Sequence, residues 1–147
     1  MSVTVESVVR RDVDAVWNGG GNLDEIDDIV TDDFVYHNPM VPEDVHGPEG
    51  YRELAERFHS AFSDMDMEID EMVAQDDRVA TRYTTRATHV GEIMGIEPTN
   101  RDIEITGILV DHVEDGRIRK RYVNDDALGL FAQLGAVEPP DESATSR

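Results

Sequence analysis

The chain has 147 residues with 33 acidic and 13 basic side chains, so its formal net charge is −20. A chain of this length is expected to form one domain, and the absence of cysteine excludes disulfides, thiolate nucleophiles and thiolate metal sites. The negative charge repels phosphate backbones and anionic lipid headgroups, and no apolar run reaches the roughly 20 residues that span a bilayer. We therefore expect a soluble cytoplasmic protein with neither a nucleic-acid nor a membrane partner.

The charged residues are also unevenly chosen, because Lys120 is the only lysine beside twelve arginines. Self-repulsion at this net charge strains a small fold in dilute buffer, whereas molar salt, with a Debye length of about 3 Å, screens most of it. The composition therefore predicts a halophile-type protein. An acidic surface that serves a cationic partner is the alternative.

The first half of the chain is predicted to be mainly helical. Apolar residues recur at helical spacing over residues 5–17, 23–30 and 47–62. Three glycines at 19–21 end the first of these helices. A short extended piece at 34–37 precedes the third helix and ends at Asn38-Pro39.

The second half is predicted to consist of strands. Apolar alternation and β-type residues mark strands over 65–69, 79–90, 103–113 and 118–123, and a last helix over 126–134. Helices followed by a run of antiparallel strands indicate an α+β fold. We expect one domain over 1–137, a curved antiparallel sheet with the N-terminal helices on its concave face, and a polar, flexible tail over 138–147. The interior of the resulting cone is the expected ligand pocket.

Seven short motifs occur in one order along the chain. They are Trp17-Asn18-Gly19-Gly20, Tyr36-His37-Asn38-Pro39, Gly47-Pro48-Glu49-Gly50, Ala61-Phe62-Ser63-Asp64, Thr88-His89-Val90-Gly91, Met94-Gly95-Ile96-Glu97-Pro98-Thr99-Asn100-Arg101, and Asp126-Ala127-Leu128-Gly129 with Gln133-Leu134-Gly135. Together they resemble the SnoaL-like polyketide cyclases, also labelled ester cyclases, from about Val8 to Gly135. The resemblance implies the cone-shaped α+β barrel of ketosteroid isomerase and scytalone dehydratase. That fold also hosts isomerases, dehydratases and non-catalytic binders.

The resemblance makes Asp126 the candidate catalyst, because an aspartate at the matching place in these cyclases is the acid/base of an intramolecular aldol closure. Ile118, Tyr122 and Asp126 share a face if the last strand continues that far, and Asp125 then points the other way. Partial desolvation would raise the pKa of such a carboxyl towards neutrality. The alternative is that Asp126 caps the helix that begins at Ala127.

Two histidines are candidate donors in the same site. His89 lies on the inward face of its strand and could orient Asp126 or donate to a substrate carbonyl; the alternative is a buried histidine bonded to the backbone. His37 stands where the family also carries a histidine, and its alternative is a cap on the Asn38-Pro39 turn. No two histidines have the i, i+4 spacing of a helical metal site. We therefore expect no metal, and the aldol closure that the resemblance implies needs no cofactor.

Aromatic and flexible apolar side chains are expected to line the pocket and bind substrate, with ordinary core packing as the alternative for each. The predicted substrate-binding residues are Trp17, Tyr36, Asn38, Phe58, Phe62, Tyr83, Met94 and Tyr122. Three residues depart from the family pattern. Tyr122 replaces a tryptophan, Asn100 replaces a glycine whose left-handed backbone it can also adopt, and Lys120 replaces an acid. If Lys120 pointed inward it would lower the pKa of Asp126, and otherwise it reaches out over the rim.

The sequence thus predicts a cofactor-independent enzyme that removes a proton next to a carbonyl and closes a ring by an aldol reaction. Its partner would be a small apolar molecule that contains a carbonyl group. A non-catalytic ligand-binding protein of the same fold, or an isomerase or hydratase with the same pocket, is the alternative. The fold also implies a homodimer or homotetramer.

Overall fold

The structure, a computed structural model, describes residues 4–19 and 22–138. Its helices are α1 (Val5–Asp12), α2 (Ile26–Ile29), α3 (Gly47–Ala61) and α4 (Ala127–Gln133), with a π-helical turn at Val13–Trp17 and a 3-10 turn at Leu23–Glu25. Its strands are β1 (Val30–His37), β2 (Val45–His46), β3 (Phe62–Gln75), β4 (Arg78–His89), β5 (Asp102–Glu114) and β6 (Arg117–Asp125). Apart from its first residue, the predicted tail lies outside the described residues, as do two glycines of the predicted glycine stop. None of the described helices is both long and apolar enough to cross a membrane.

The strands form one curved sheet in the order β2-β1-β6-β5-β4-β3. The α+β class predicted from the order of elements is confirmed. The prediction of a wholly antiparallel sheet is wrong for one pair, because β1 and β6 run parallel while the other neighbours run antiparallel. A parallel pair requires a long crossover connection, and α3 together with the β3–β5 meander provides it.

Helix α1 and the turn after it cover the inner face of the sheet. Thr4 caps α1 by accepting a hydrogen bond from the backbone amide of Ser7. The apolar residues that predicted this helix are the ones it buries, namely Val8, Val9, Val13 and Val16. The π-helical turn then carries the indole of Trp17 into the core. The helix packing therefore follows from the spacing of valines in the sequence.

A β-bulge interrupts β6 near its start. Ile118 pairs with Val113 and Lys120 pairs with His112, so Arg119 is an extra residue opposite a single step of β5. Side chains alternate between the faces of a strand, so one inserted residue moves every later side chain to the opposite face.

The bulge decides which side chains of β6 face the interior. Arg121 and Val123 are buried on the inner face, and Asp125 follows them in the same alternation. Tyr122 and Lys120 lie on the outer face, where the Lys120 Nζ is 5.7 Å from the Tyr122 ring centroid. The predicted faces of β6 beyond Ile118 are therefore wrong, because a bulge leaves no signature in the local alternation.

The loop between β4 and β5 turns at a residue with a left-handed backbone. Asn100 has a φ of 58°, as predicted for an asparagine in the place of a glycine. The backbone amide of Asn100 donates a hydrogen bond to the carbonyl oxygen of His89 at 2.8 Å, so the turn is bonded to the end of β4.

Candidate active site

A cavity of about 100 Å³ lies against the inner face of the sheet, between the π-helical turn, α3 and α4. Its wall is mostly apolar, formed by Trp17, Met40, Phe58, Phe62, Met65, Met67, Ala87, Ile103, Ile105, Leu109, Val123 and Leu130. The polar residues that reach it are Tyr36, Tyr83, Thr85, Arg121 and Asp125. An apolar cavity with a few converging polar groups is the arrangement typical of small-molecule sites.

The carboxylate in this wall belongs to Asp125, the last residue of β6. Its Oδ1 accepts a short hydrogen bond from the hydroxyl of Tyr83, and its Oδ2 accepts one from the amide nitrogen of Asn38 at 3.1 Å. Burial raises the pKa of the Asp125 carboxyl above its ordinary value, and the two hydrogen bonds lower it in part. Asp125 is therefore a carboxylate whose basicity has been increased while it keeps donors for its charged form.

Asn38 joins the carboxylate to a second polar group. Its amide nitrogen also donates to the hydroxyl oxygen of Tyr36 at 3.1 Å, and its side-chain oxygen accepts from the backbone amide of Met40 at 2.9 Å. Asn38 is buried in the turn that ends β1, so the turn fixes its orientation. The spacing between Asp125 and the Tyr36 hydroxyl is consequently set by one side chain.

Both tyrosines at the site remain protonated at neutral pH. Burial first and the nearby Asp125 charge second raise the pKa of Tyr36 and of Tyr83. The Tyr83 hydroxyl proton is directed to Asp125. The Tyr36 hydroxyl oxygen accepts from Asn38, and among the hydrogen bonds of the described residues its proton has no acceptor. Tyr36 can therefore donate to a ligand in the cavity.

A buried ionic cluster lies beneath the cavity and consists of Arg121, Asp111, Asp12, Tyr51 and Trp17. The Arg121 guanidinium donates to both oxygens of Asp111 at 2.6 and 2.9 Å, and its Nη1 donates to Asp12 at 2.7 Å and to the Tyr51 hydroxyl at 3.0 Å. Tyr51 in turn donates to Asp12 at 2.6 Å and accepts from the Trp17 indole at 3.0 Å. The cluster thereby fixes the Trp17 ring that lines the cavity.

Asp126, the predicted catalyst, does not line the cavity. It is exposed and caps α4, with its Oδ1 accepting from the backbone amide of Gly129 at 2.9 Å. The alternative given for it, an N-cap, is the role that the geometry supports. The predicted orientations of Asp125 and Asp126 are thus reversed, because the bulge at Arg119 shifts the alternation of β6 by one residue.

His89, the first predicted donor, is fully buried but is absent from the cavity wall. Its Nδ1 accepts from the backbone amide of Thr99 at 3.2 Å and lies 3.0 Å from the Thr99 hydroxyl oxygen. Its Nε2 is buried and has no hydrogen-bond partner among the described residues. His89 therefore holds the β4–β5 loop against the end of β4, which matches its alternative as a buried histidine bonded to backbone.

His37, the second predicted donor, lies on the outer face of the sheet. Its Nδ1 is 2.7 Å from an Asp44 carboxylate oxygen. Its ring packs edge-on against the Tyr122 ring, with 5.9 Å between the two ring centroids. Tyr122 is 39% exposed on that face and Met94 is 42% exposed in the β4–β5 loop, so neither lines the cavity. The structure does not bring His37 and His89 to the carboxylate.

The other predicted substrate-binding residues do meet at the cavity. Trp17, Tyr36, Phe58, Phe62 and Tyr83 form part of its wall. Asn38 lies just behind the wall and also lines an adjoining groove with Pro39, Met40, Asn124, Ala127 and Phe131. Asp125 and Met40 belong to both spaces, so the carboxylate lies where the cavity and the groove meet.

Four of these buried polar residues were not predicted from the sequence as part of the site, namely Asp12, Asp111, Arg121 and Asp125. Two of them did leave a signal. Asp12 interrupts the apolar row that runs from Val8 in α1 to Val16 in the π-helical turn, and Asp111 stands on the apolar row of β5. An acid on an apolar row predicts a buried partner of opposite charge. Arg121 and Asp125 left none, since the bulge conceals their face.

Comparisons with known proteins agree on one family. A profile of the SnoaL-like polyketide cyclases matches residues 7–134. The nogalonic acid methyl ester cyclase of Streptomyces nogalater is 27% identical over 126 residues, which cover 83% of this chain and 92% of that protein. The aklanonic acid methyl ester cyclase AcmA of Streptomyces galilaeus is 27% identical over 138 residues, which cover 92% and 94%.

The fold agrees with the sequence comparison. The crystal structure of IdmH from Streptomyces antibioticus matches with a TM-score of 0.78 and 30% sequence identity, over 90% of this chain and 99% of that chain. The likeness thus extends over nearly the whole chain, including the strands that carry the cavity.

Proposed function

This chain belongs to the SnoaL-like polyketide cyclase family, and from that premise we propose that it closes a ring in a small apolar carbonyl compound by an intramolecular aldol reaction, with Asp125 as the acid/base. The observation that carries the assignment is a single carboxylate in an apolar wall, held by two hydrogen-bond donors. Proton transfer by such a group requires no redox partner, and its contribution to the rate is typically 10²–10⁴-fold.

The proposed reaction conserves all atoms of the substrate. The ionised Asp125 removes a proton from the carbon next to a carbonyl, and the electron pair of that C–H bond forms an enolate. The enolate carbon then bonds to a second carbonyl carbon of the same molecule, whose oxygen becomes an alkoxide. The protonated Asp125 returns its proton to that alkoxide, so substrate and product are isomers.

Tyr36 supplies the donor that an enolate requires. Its hydroxyl is buried, stays protonated because burial raises its pKa, and is linked through Asn38 to the same carboxylate. A neutral donor aimed at the oxygen where negative charge develops stabilises the transition state more than the ground state. Tyr36 thus takes the role that the sequence analysis gave to the histidines.

The size of the cavity bears on the substrate. About 100 Å³ is less than the roughly 300–1,000 Å³ of pockets that enclose a drug-sized ligand. Three methionines in the wall, Met40, Met65 and Met67, have flexible side chains that can rearrange. We propose that a polycyclic substrate enters by displacing these side chains, with part of it in the adjoining groove.

A turnover assay with two matched variants tests the assignment. The protein is incubated in molar salt with nogalonic acid methyl ester and with aklanonic acid methyl ester, and isomeric products are separated by chromatography with mass detection. We expect Asp125→Asn to lower turnover at least about 100-fold, and the neighbouring substitution Asp126→Asn to leave it near the wild-type rate. Full turnover by Asp125→Asn would exclude the mechanism. Tight binding of both compounds without turnover would favour the ligand-binding alternative.

The pH dependence provides a second test of the same residue. Asp125 acts in its ionised form, and burial raises its pKa above the ordinary aspartate value. Turnover is therefore expected to fall as the pH decreases through that raised pKa. A rate that is flat down to the ordinary aspartate pKa, near 3.9, would contradict a buried carboxylate base.

We also propose that the outer face of β5 and β6 binds a second copy of the chain, as a homodimer. Three successive outward pairs contain no acid in a chain with 33 acids, namely Ile108 with Asn124, Val110 with Tyr122 and His112 with Lys120; the next pair, Glu114 with Arg117, ends this patch. Ile108 is 51% exposed there. A patch without acids gives the least repulsion between two copies that each carry a charge of −20. The molar mass from light scattering is expected to be that of a dimer for wild type and that of a monomer for Ile108→Glu. A monomeric wild type would contradict the proposal.

A further inference from the structure

Gly107 lies on the inner face of β5, between the two residues that form the short hydrogen bond of the site. Tyr83 of β4 pairs with Gly107, and Gly107 pairs with Asp125 of β6, so the three residues form one row across adjacent strands. Neighbouring strands lie about 4.8 Å apart, which puts the outer two strands about 10 Å apart. A hydrogen bond from Tyr83 to Asp125 therefore has to pass directly over residue 107.

The tyrosine can pass because Gly107 has no side chain. A Cβ on Gly107 would lie 2.6 Å from Cζ of Tyr83 and 3.0 Å from Oδ1 of Asp125, and closer still to the Tyr83 hydroxyl oxygen. The separations from the two Tyr83 atoms are well below van der Waals contact, and the separation from Asp125 is tight. The Tyr83 ring therefore already occupies the volume that a methyl group would need.

Backbone conformation is not what demands glycine here. Gly107 is not among the glycines with a positive φ, so alanine could adopt the same extended backbone. Glycine in a strand interior ordinarily weakens the strand, and its presence there is typical of a place where another group approaches closely. At this position the approaching group is the phenol of Tyr83.

We propose that Gly107 is a positioning residue, whose missing side chain opens the passage through which Tyr83 reaches and orients Asp125. Its importance for catalysis rests on the proposed function of Asp125, whereas the passage itself follows from the packing alone. Any larger residue at 107 displaces the ring and leaves Asp125 with Asn38 as its remaining donor among the described side chains. The loss of a donor to the charged form raises the pKa of the carboxyl.

A titration of the substrate-free protein tests the proposal without reference to turnover. Aspartate side-chain carboxyl carbons are labelled with ¹³C and followed by NMR over a pH series, and the Asp125 signal is identified from its absence in Asp125→Asn. We expect Gly107→Ala and Tyr83→Phe to raise the pKa of Asp125 in the same direction and to a similar extent. The double variant is expected to raise it no further, because both changes remove the same hydrogen bond. An unchanged Asp125 titration in folded Gly107→Ala, or additive effects in the double variant, would overturn the proposal.

Val79→Ala is the matched control for a general loosening of the sheet. Val79 is fully buried on the same face of β4 but pairs with Asp111, two inner rows from Tyr83, and does not line the cavity. It is expected to lower the thermal midpoint and leave the Asp125 titration unchanged. If it shifts the titration as much as Gly107→Ala does, the effect is not specific to the passage and the proposal fails.

A variant that does not fold is also informative. If Gly107→Ala alone fails to fold, it is combined with Tyr83→Leu, which removes the outer ring atoms that the new methyl group meets. This double variant is expected to recover a cooperative thermal transition. Failure of that double variant to recover, while Tyr83→Leu alone folds, would show that the Tyr83 ring is not the obstacle. Because neither readout uses a substrate, an absence of turnover in the cyclisation assay leaves this result interpretable.

Discussion

Replacing Arg121 by methionine tests how far the buried ionic cluster holds the fold together. The change removes three hydrogen bonds to carboxylates and one to the Tyr51 hydroxyl. Asp12 and Asp111, both 0% exposed, are left without a cation. Removing one partner of a buried ion pair costs about 3–5 kcal/mol, a large part of the about 5–15 kcal/mol that stabilises a typical domain. At about 2–4 °C per kcal/mol for a chain of this size, the melting temperature is expected to fall by about 6–20 °C.

The stability lost in Arg121→Met is expected to increase with pH. Burial raises the pKa of Asp111 above its ordinary value, and Arg121 opposes this rise. A carboxyl whose folded pKa exceeds its unfolded pKa stabilises the fold below the unfolded pKa, and this contribution is lost as the pH rises through the folded pKa. Without Arg121 the pKa of Asp111 rises further. The destabilisation of Arg121→Met relative to wild type should therefore be larger at pH 8 than at pH 5.

The assay is urea denaturation at both pH values in molar salt, with Arg82→Met as the control. Arg82 is exposed and lies 3.6 Å from Glu71, so its loss is expected to cost less than about 1 kcal/mol. A combined Asp12→Leu, Asp111→Leu and Arg121→Met variant should recover much of the stability, since no unpaired charge remains buried. Two results would contradict this explanation. One is a free energy of unfolding for Arg121→Met within about 1 kcal/mol of the wild-type value at pH 8, and the other is a larger loss of that free energy at pH 5 than at pH 8.

Three further predictions concern other features of the fold. Thr81→Val is expected to raise the free energy of unfolding, measured with urea, by about 1 kcal/mol, because the buried Thr81 hydroxyl has no hydrogen-bond partner among the described residues. A lower free energy of unfolding would contradict this. Asp126→Ala removes the N-cap of α4 and should lower the free energy of unfolding by about 1 kcal/mol while turnover persists. A loss of turnover as large as that of Asp125→Asn would contradict the proposal that Asp125 is the base. Dialysis from molar to low salt should lower the melting temperature, because repulsion at a charge of −20 is then unscreened, and an unchanged value would exclude salt adaptation.

The longer helices and strands were largely predictable because they depend on local periodicity. The helix expected over 23–30 is observed as a 3-10 turn at Leu23–Glu25 and the short α2, and the strand expected over 65–69 extends over Phe62–Gln75. The strand expected at 103–113 is observed at Asp102–Glu114, and the helix expected from 47 to about 62 is observed at Gly47–Ala61. Amphipathic spacing is a local property of the sequence, so it predicts such elements without knowledge of their tertiary contacts. The wall of the cavity followed for the same reason, since five of its aromatic residues lie at core spacing.

The identity of the carboxylate was not predictable from that periodicity. Whether Asp125 or Asp126 faces the cavity depends on the bulge at Arg119, which is a property of the pairing with β5 and β1. The buried ionic cluster depends on contacts across the chain, with Arg121 and Asp12 separated by 109 residues. Local sequence patterns contain little information about contacts of that range.

The position of β6 between β1 and β5 ties the order of folding to the completion of the site. Asn38 and Asp125 are 87 residues apart, so the donor and the proposed base meet only when the last strand lies between its two neighbours. Contacts of such long range form late and slowly, because a large loop must close before they contribute. During synthesis, Asp12 leaves the ribosome long before its arginine partner. In the folded chain β6 joins β1 to β5 and supplies the arginine partner of Asp12, so the proposed site is complete only once this strand is in place.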